Sequence, residues 1–187
     1  MKYMNPAPHL VLIGPMGAGK SSLGRRLARA HGLAFVDLDR EIEARAGTLI
    51  PAIFACEGET GFRRREREAL ADVLAREGAV IASGGGAVLD PDNRALMRQR
   101  GFVVYLQIDV GEQLARLAND RSRPLLAGAD RAEVLTRLAA ERMPLYAETA
   151  DLEFSPAGLT PVDAAQRLAD LLENHWQRTA ATSVPGS

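Results

Sequence analysis

The chain is short of cysteine: Cys56 is the only one in 187 residues. An intramolecular disulfide is excluded, and so is a zinc site built on cysteine pairs. A single thiol fits a reducing compartment. Cys56 follows the apolar run Ile53, Phe54, Ala55, so it is expected to be a packed side chain. An excess of charge of either sign is also missing. The formal net charge is −1, which gives no sign of a nucleic-acid partner or an acidic tail. No stretch approaches the roughly 20 apolar residues of a membrane span. Residues Met1 to Pro8 have no apolar h-region, so they do not read as a signal peptide. These absences point to a cytoplasmic protein, with no membrane and no nucleic acid among its partners. What is present is a composition 47% hydrophobic, enough for one compact domain with a real core.

Short apolar runs alternate with helical spacing. Leu10 to Ile13 reads as a buried strand ending in Gly14. Leu23, Leu27 and Ala30 then recur at helical spacing, and Gly32 stops that helix. Leu33 to Val36 is a second strand, ending at Asp37-Leu38-Asp39, and a helix follows to Ala46. Thr48 is a plausible cap for a helix carrying Ile50, Ile53 and Phe54, and a long helix follows from about Gly61 to Arg76. Ala79 to Ala82 is a third strand, running into Ser83-Gly84-Gly85-Gly86. Asp90-Pro91 opens a helix. Phe102 to Ile108 is a fourth strand, and Leu152 to Phe154 a fifth. Pro144 inside a helical stretch implies a kink. Such alternation specifies a parallel sheet covered by helices. Ligands then bind at the carboxyl ends of the strands, where the glycine-rich loop, the Asp pair and the triple glycine all fall.

Gly14-Pro15-Met16-Gly17-Ala18-Gly19-Lys20-Ser21 fits the phosphate-loop pattern G-x-x-x-x-G-K-[ST]. The glycines let backbone N–H groups curl round phosphate oxygens, the lysine neutralises charge, and the serine hydroxyl can ligate Mg²⁺. The next helix points its N-terminus at the same anion. A random chain of this length shows the pattern on the order of one time in a hundred, and here a strand precedes it and a helix follows.

Asp37 and Asp39 would share a face if the chain stayed extended. One could order Mg²⁺, and the other could accept a hydrogen bond from a hydroxyl awaiting phosphorylation. Alternatively, Asp39 simply caps the next helix. The triple glycine offers close backbone approach and N–H donors, and no acid stands after that strand, which leaves Asp37 as the metal-ordering candidate. Arg63-Arg64-Arg65 reads first as a solvated helix face. Three cations near a helix start oppose the macrodipole, so at least one should have an anionic partner, and Glu66 can hold Arg63 across one turn. Arg116, Arg121 and Arg123 lie in or beside an aperiodic stretch, about residues 119–130, with the character of a mobile lid. Arg142 lies on the helix beyond it.

Assembled in this order, the motifs resemble those of shikimate kinases. The resemblance rests on residues 14–21, Phe35-Val36-Asp37-Leu38-Asp39, Gly58-Glu59-Thr60-Gly61-Phe62-Arg63, Ser83 to Gly86 and Arg123-Pro124-Leu125-Leu126. Arg142-Met143-Pro144-Leu145-Tyr146 adds to them, and the likeness runs from about Leu10 to His175. It implies an α/β single-domain P-loop kinase: a five-stranded parallel sheet with helices on both faces and a mobile lid. Residues 1–187 would form one domain, with a core of about 9–176 and a disordered tail at 178–187. The implied reaction is transfer of the γ-phosphate of ATP to the 3-hydroxyl of shikimate by a monomer using Mg²⁺. Gly17, Ala18, Gly19, Lys20, Ser21 and Ser22 would hold ATP, with Arg116 against adenine. Ser21 and Asp37 would serve the metal. Asp39, Phe54, Phe62, Arg63, Gly84, Gly85, Gly86 and Arg142 would bind shikimate. Lys20, Asp39 and Arg123 would be catalytic, Arg123 as the lid cation that also binds ATP, bridging its phosphates and the substrate. The segment Phe154 to Gly158 marks no adenine contact.

Two other readings remain open on sequence. One is a P-loop kinase of a nucleoside monophosphate or of a sugar acid such as gluconate, whose carboxylate Arg63 and Arg142 would suit equally. The other is a nucleotide-binding module without catalysis. His9, His31 and His175 fit no catalytic pattern and are expected to be structural or on the surface.

Overall fold

The computed structural model describes residues 5–119, 126 and 130–179. Its centre is β2 (His9–Ile13), every residue of which is buried. β4 (Ala79–Ala82) and β5 (Gly101–Leu106) are buried throughout as well. Strands sealed on both faces are continuous apolar runs, as parallel sheets require. β3 (Ala34–Asp37) and β6 (Leu152–Phe154) complete a sheet in the order β3-β4-β2-β5-β6, with every pair parallel. The side chains of β2 alternate between two cores. Val11 and Ile13 join the layer of α2 (Leu38–Ala46), α3 (Ile50–Ala75), α4 (Pro91–Arg100) and α6 (Arg131–Thr149). Leu10 and Leu12 join the opposite layer, formed by α1 (Lys20–His31) and α7 (Pro161–His175). α5 (Val110–Leu117) packs beside α6, with the buried Leu126 between them. Among the described residues no helix is long and apolar enough to cross a membrane.

Parallel neighbours need crossovers, and here the chain leaves β2 toward β3 but later returns to its other side at β5. The crevice of such a sheet opens where the direction reverses, above the carboxyl end of the central strand. Gly14 follows that strand directly.

Several local expectations need correction. Residues 50–75 hold the two expected helices, which meet directly at a kink at Gly58, whose φ of 68° and ψ of −175° leave the helical region. Thr48 does not cap it. Leu49 is the cap residue, and the Glu43 carboxylate accepts from the Ile50 N–H at 3.1 Å. Cys56 is exposed, not packed. Before the bend, only Ile53 is buried and Ile50 and Phe54 partly so, because this stretch covers the cleft with one narrow stripe. α6 contains Pro144 and continues beyond it to Thr149, past the Ala147 that the helical spacing marks as its end. Trp176–Arg178 forms a strand, β7, beside β1 (Asn5–Ala7). The indole of Trp176 donates to the Ala7 carbonyl at 2.9 Å, so Arg178 is not part of a tail, and residues 180–187 lie outside the described residues. His9 is structural: its ring meets the Leu74 carbonyl at 3.2 Å and accepts from the Ala79 N–H at 3.1 Å.

Candidate active site

The loop from Gly14 to Ser21 bends through positive φ at Gly14, Gly17 and Gly19. Gly14 is also a contact: a Cβ there would lie 2.5 Å from the Leu106 carbonyl oxygen of β5. Lys20 Nζ donates to the Gly14 and Pro15 carbonyls at 2.7 and 2.9 Å. Its charge is thus held over the loop where phosphate would sit. α5 steadies the loop from the side. Gln113 Nε2 donates to the Met16 carbonyl and Arg116 Nη1 to the Gly17 carbonyl, both at 2.9 Å.

The Asp pair is arranged otherwise than an extended chain would have it. β3 ends at Asp37 and α2 begins at Leu38, so the two carboxylates are set by a strand-to-helix turn, not by strand alternation. Asp37, not Asp39, is the cap: its Oδ1 accepts from the Arg40 N–H at 3.4 Å. Its Oδ2 accepts from Ser21 Oγ at 2.5 Å. Asp39, in the first turn of α2, is directed at the triple glycine, where a Cβ on Gly84 would lie 3.1 Å from its Oδ1.

The three glycines make room for charge. A Cβ on Gly84 would also come within 2.7 Å of Glu66 Oε2, and one on Gly86 within 2.3 Å of Arg63 Nη2. Arg63 Nη1 donates to Glu66 Oε1 at 2.9 Å, and its Nη2 to Glu59 at 3.1 Å. Burial lowers the Arg63 pKa, but Glu66 and Glu59 more than offset it, and the guanidinium ends above its ordinary value. Burial pushes the Glu66 carboxyl up against the opposing pull of Arg63. Its Oε2 has no hydrogen bond among the described residues. Arg64 and Arg65 face outward and pair with Glu57. The three arginines are therefore told apart by their partners, Arg63 alone meeting the buried Glu66.

Arg142 is 4% exposed, and its Nε has no hydrogen-bond partner among the described residues. Phe54 and Phe62 lie 4.8 Å apart, with the Arg63 guanidinium 5.3 Å from the Phe62 ring centre. Lys20, Ser21, Asp37, Asp39, Arg63 and Arg142 all line one cavity of about 780 Å³. Gly17, Gly19, Ser22, Phe54, Phe62, Gly84, Gly85, Gly86 and Arg116 line it too. Ala18 does not: its methyl is in the core, and only its backbone can serve a phosphate. Arg123 and most of the lid lie outside the described residues.

Sequence reading missed Pro161, which lines the same cavity, and Gln113, separated from Met16 by 97 residues. No local signal marks either. Glu66 was noticed only as a helix partner of Arg63, although its spacing of three residues was the available clue.

A family model described as shikimate kinase matches residues 16–173. Shikimate kinase of Stenotrophomonas maltophilia (strain R551-3) is 57% identical over 180 residues, 96% of this chain and 100% of that protein. Shikimate kinase of Xylella fastidiosa (strain 9a5c) is 54% identical over 177 residues, 95% of this chain and 98% of that protein. Among solved structures, shikimate kinase from Acinetobacter baumannii in complex with shikimate superposes with a TM-score of 0.87 at 42% identity. That match covers 89% of this chain and 93% of the other.

Proposed function

The chain belongs to the shikimate kinase family, and from that membership we propose how its own residues divide the work of moving the γ-phosphate of ATP to the 3-hydroxyl of shikimate. The observation that carries the reading is a juxtaposition. A phosphate loop with its lysine and a carboxylate–arginine cluster face each other across one cavity, at a distance set by the sheet.

The backbone from Gly17 to Ser22 wraps the phosphates, and Lys20 supplies the charge. The Ser21 hydroxyl and the Asp37 carboxylate, already in contact, form a hard oxygen pair suited to Mg²⁺. No group of three or more acidic, His or Cys side chains that could hold a metal exists among the described residues. That matches an ion carried mainly by phosphates and water. When bound, Mg²⁺ screens the charge of the phosphates. Arg116 and Pro161, which both line the cavity, would serve the base.

Arg63 and Arg142 bind the carboxylate of shikimate, using the fork geometry that suits a carboxylate. Phe54 and Phe62 give its ring an apolar wall. Gly84 to Gly86 bring backbone close to the ring, and Asp39 accepts from a hydroxyl. Arg123, outside the described residues, takes the role of the further cation on the transferring group from the family resemblance. Positioning and charge do most of the work in phosphoryl transfer, so Asp39 needs to orient the hydroxyl more than to be a strong base. If Asp39→Asn keeps most of its turnover at saturating shikimate, its role is binding alone.

The test is ADP release with Mg²⁺ and shikimate, with quinate, gluconate, CMP and AMP as parallel acceptors and Lys20→Ala as the blank. Release that needs shikimate and vanishes in the blank is the expected result. Release with gluconate or AMP in its place would overturn the assignments of Asp39, Arg63 and Arg142. A cytoplasmic, monomeric enzyme is part of the same proposal, and light scattering of the purified protein tests the monomer.

A further inference from the structure

Tyr146 lies one helical turn beyond Arg142 on α6, on the same face. It is 1% exposed, and its ring stacks on Tyr105 of β5 with centres 5.1 Å apart. Tyr105 in turn pairs with Ile13, the residue before the phosphate loop. The Tyr146 hydroxyl does not end in this apolar stack. It donates to the carbonyl of Gly85 at 2.5 Å. Burial raises the Tyr146 pKa against the opposing pull of the neighbouring Arg142, so the proton needed for this bond stays in place across the neutral range. Tyr105 makes a contrast: its buried hydroxyl has no partner among the described residues.

The carbonyl of Gly85 and the N–H of Gly86 belong to one planar trans unit, so they point in opposite directions. In a run of glycines that plane turns at little steric cost. A hydrogen bond to the carbonyl selects one orientation and fixes where the Gly86 N–H is aimed. Gly86 also lies against Arg63, and a Cβ on Gly85 would touch the Met16 N–H at 3.5 Å. The same peptide thus borders the acceptor arginine on one side and the phosphate loop on the other.

We propose that Tyr146 is a positioning residue for the acceptor: its hydroxyl locks the Gly85–Gly86 peptide plane, which holds the glycine turn in the form that receives shikimate. This rests on the acceptor site described above. α6 then has two tasks, delivering Arg142 to the carboxylate and fixing the backbone beside it. Neither task touches the ATP phosphates.

The test compares Tyr146→Phe, which keeps the ring and removes the hydroxyl, with Tyr105→Phe, which removes a hydroxyl without a partner among the described residues. Shikimate-dependent ADP release by the parent protein in the same assay checks the underlying reading separately. Both variants are assayed below their own melting midpoints, so lost stability is read apart from lost binding. Losing one hydrogen bond predicts a KM for shikimate raised about fivefold to tenfold in Tyr146→Phe. The KM for ATP should stay within about twofold, and kcat should fall less than the shikimate KM rises. Tyr105→Phe should match the parent in all three. An unchanged shikimate KM in Tyr146→Phe, or equal rises for shikimate and ATP, overturns the proposal and leaves Tyr146 as core packing. Should Tyr146→Phe not fold, ¹⁵N-glycine spectra of the parent decide instead. A single Gly86 amide signal, shifted by shikimate, supports one locked plane; two exchanging signals overturn it.

Discussion

Arg63 Nη1 donates to Glu66 Oε1 across one turn of α3, at 2.9 Å, and Glu66 is only 1% exposed. The acceptor arginine is therefore held by a carboxylate that water scarcely reaches. Removing one partner of a fully buried pair costs about 3–5 kcal/mol, and here Glu59 still holds the partly exposed Arg63, so the loss falls toward the lower end. Glu66→Ala should accordingly melt well below the parent and bind shikimate at least about tenfold more weakly. Calorimetric melting and the shikimate KM measure the two effects. A parent-like KM would show that Arg63 does not need this partner.

Glu66 also predicts a pH dependence. Burial raises its folded pKa above the ordinary 4.5, with Arg63 opposing. The native state then holds this proton more tightly than the unfolded chain does. The contribution is fullest below about 4.5 and is lost as pH rises through the folded value. Glu66→Gln does not titrate. Its melting temperature should therefore gain on the parent's as pH rises from about 4 to about 8. A constant gap across that range contradicts the assignment.

His9 runs in the opposite direction. Burial lowers its pKa below the ordinary 6.5, so the unfolded chain binds the proton more readily. Its contribution is present above about 6.5 and is lost as pH falls through the folded value. His9→Ala also leaves the Leu74 carbonyl and the Ala79 N–H without their partner. The expected cost near pH 8 is about 2–4 kcal/mol, shrinking toward pH 5, while kcat per folded molecule is preserved. Denaturant titrations at the two pH values check it.

Gly86→Ala strains the Arg63–Glu66 pair from the other side. Its Cβ would collide with the Arg63 guanidinium, not with backbone, so the arginine must shift against its bond to the buried Glu66. We expect a melting temperature several degrees below the parent's and a shikimate KM raised about tenfold or more. A large fall in melting temperature with an unchanged KM would mean that the glycine serves packing only.

Asp37→Asn keeps the cap geometry of α2 but weakens the oxygen pair with Ser21. The concentration of Mg²⁺ needed for half-maximal rate should rise about tenfold to a hundredfold. The shikimate KM should stay near the parent's. An unchanged Mg²⁺ requirement would move the metal role away from Asp37.

The phosphate loop was legible in sequence because its physics is local. Eight consecutive residues carry the turn, the donors and the lysine, and the neighbouring strand and helix announce themselves by apolar spacing. The buried strands β2, β4 and β5 were legible for the same reason. The Asp pair was only half legible. Residue types and spacing marked it, yet strand alternation gave the wrong geometry, because the chain turns from strand to helix between Asp37 and Leu38.

What the sequence determined by itself is thus the parallel α/β architecture, the phosphate loop and the identity of most residues around the cavity. Tertiary structure alone decided how they meet. The packing of α3 sets Arg63 against the buried Glu66 and leaves Arg64 and Arg65 to Glu57. The bare glycines admit that guanidinium beside Glu66 and Asp39. The Tyr146 hydroxyl reaches a carbonyl 61 residues away. Contacts of this kind join residues far apart in the chain, and only the packing of α3 and α6 against the sheet brings them within hydrogen-bonding distance.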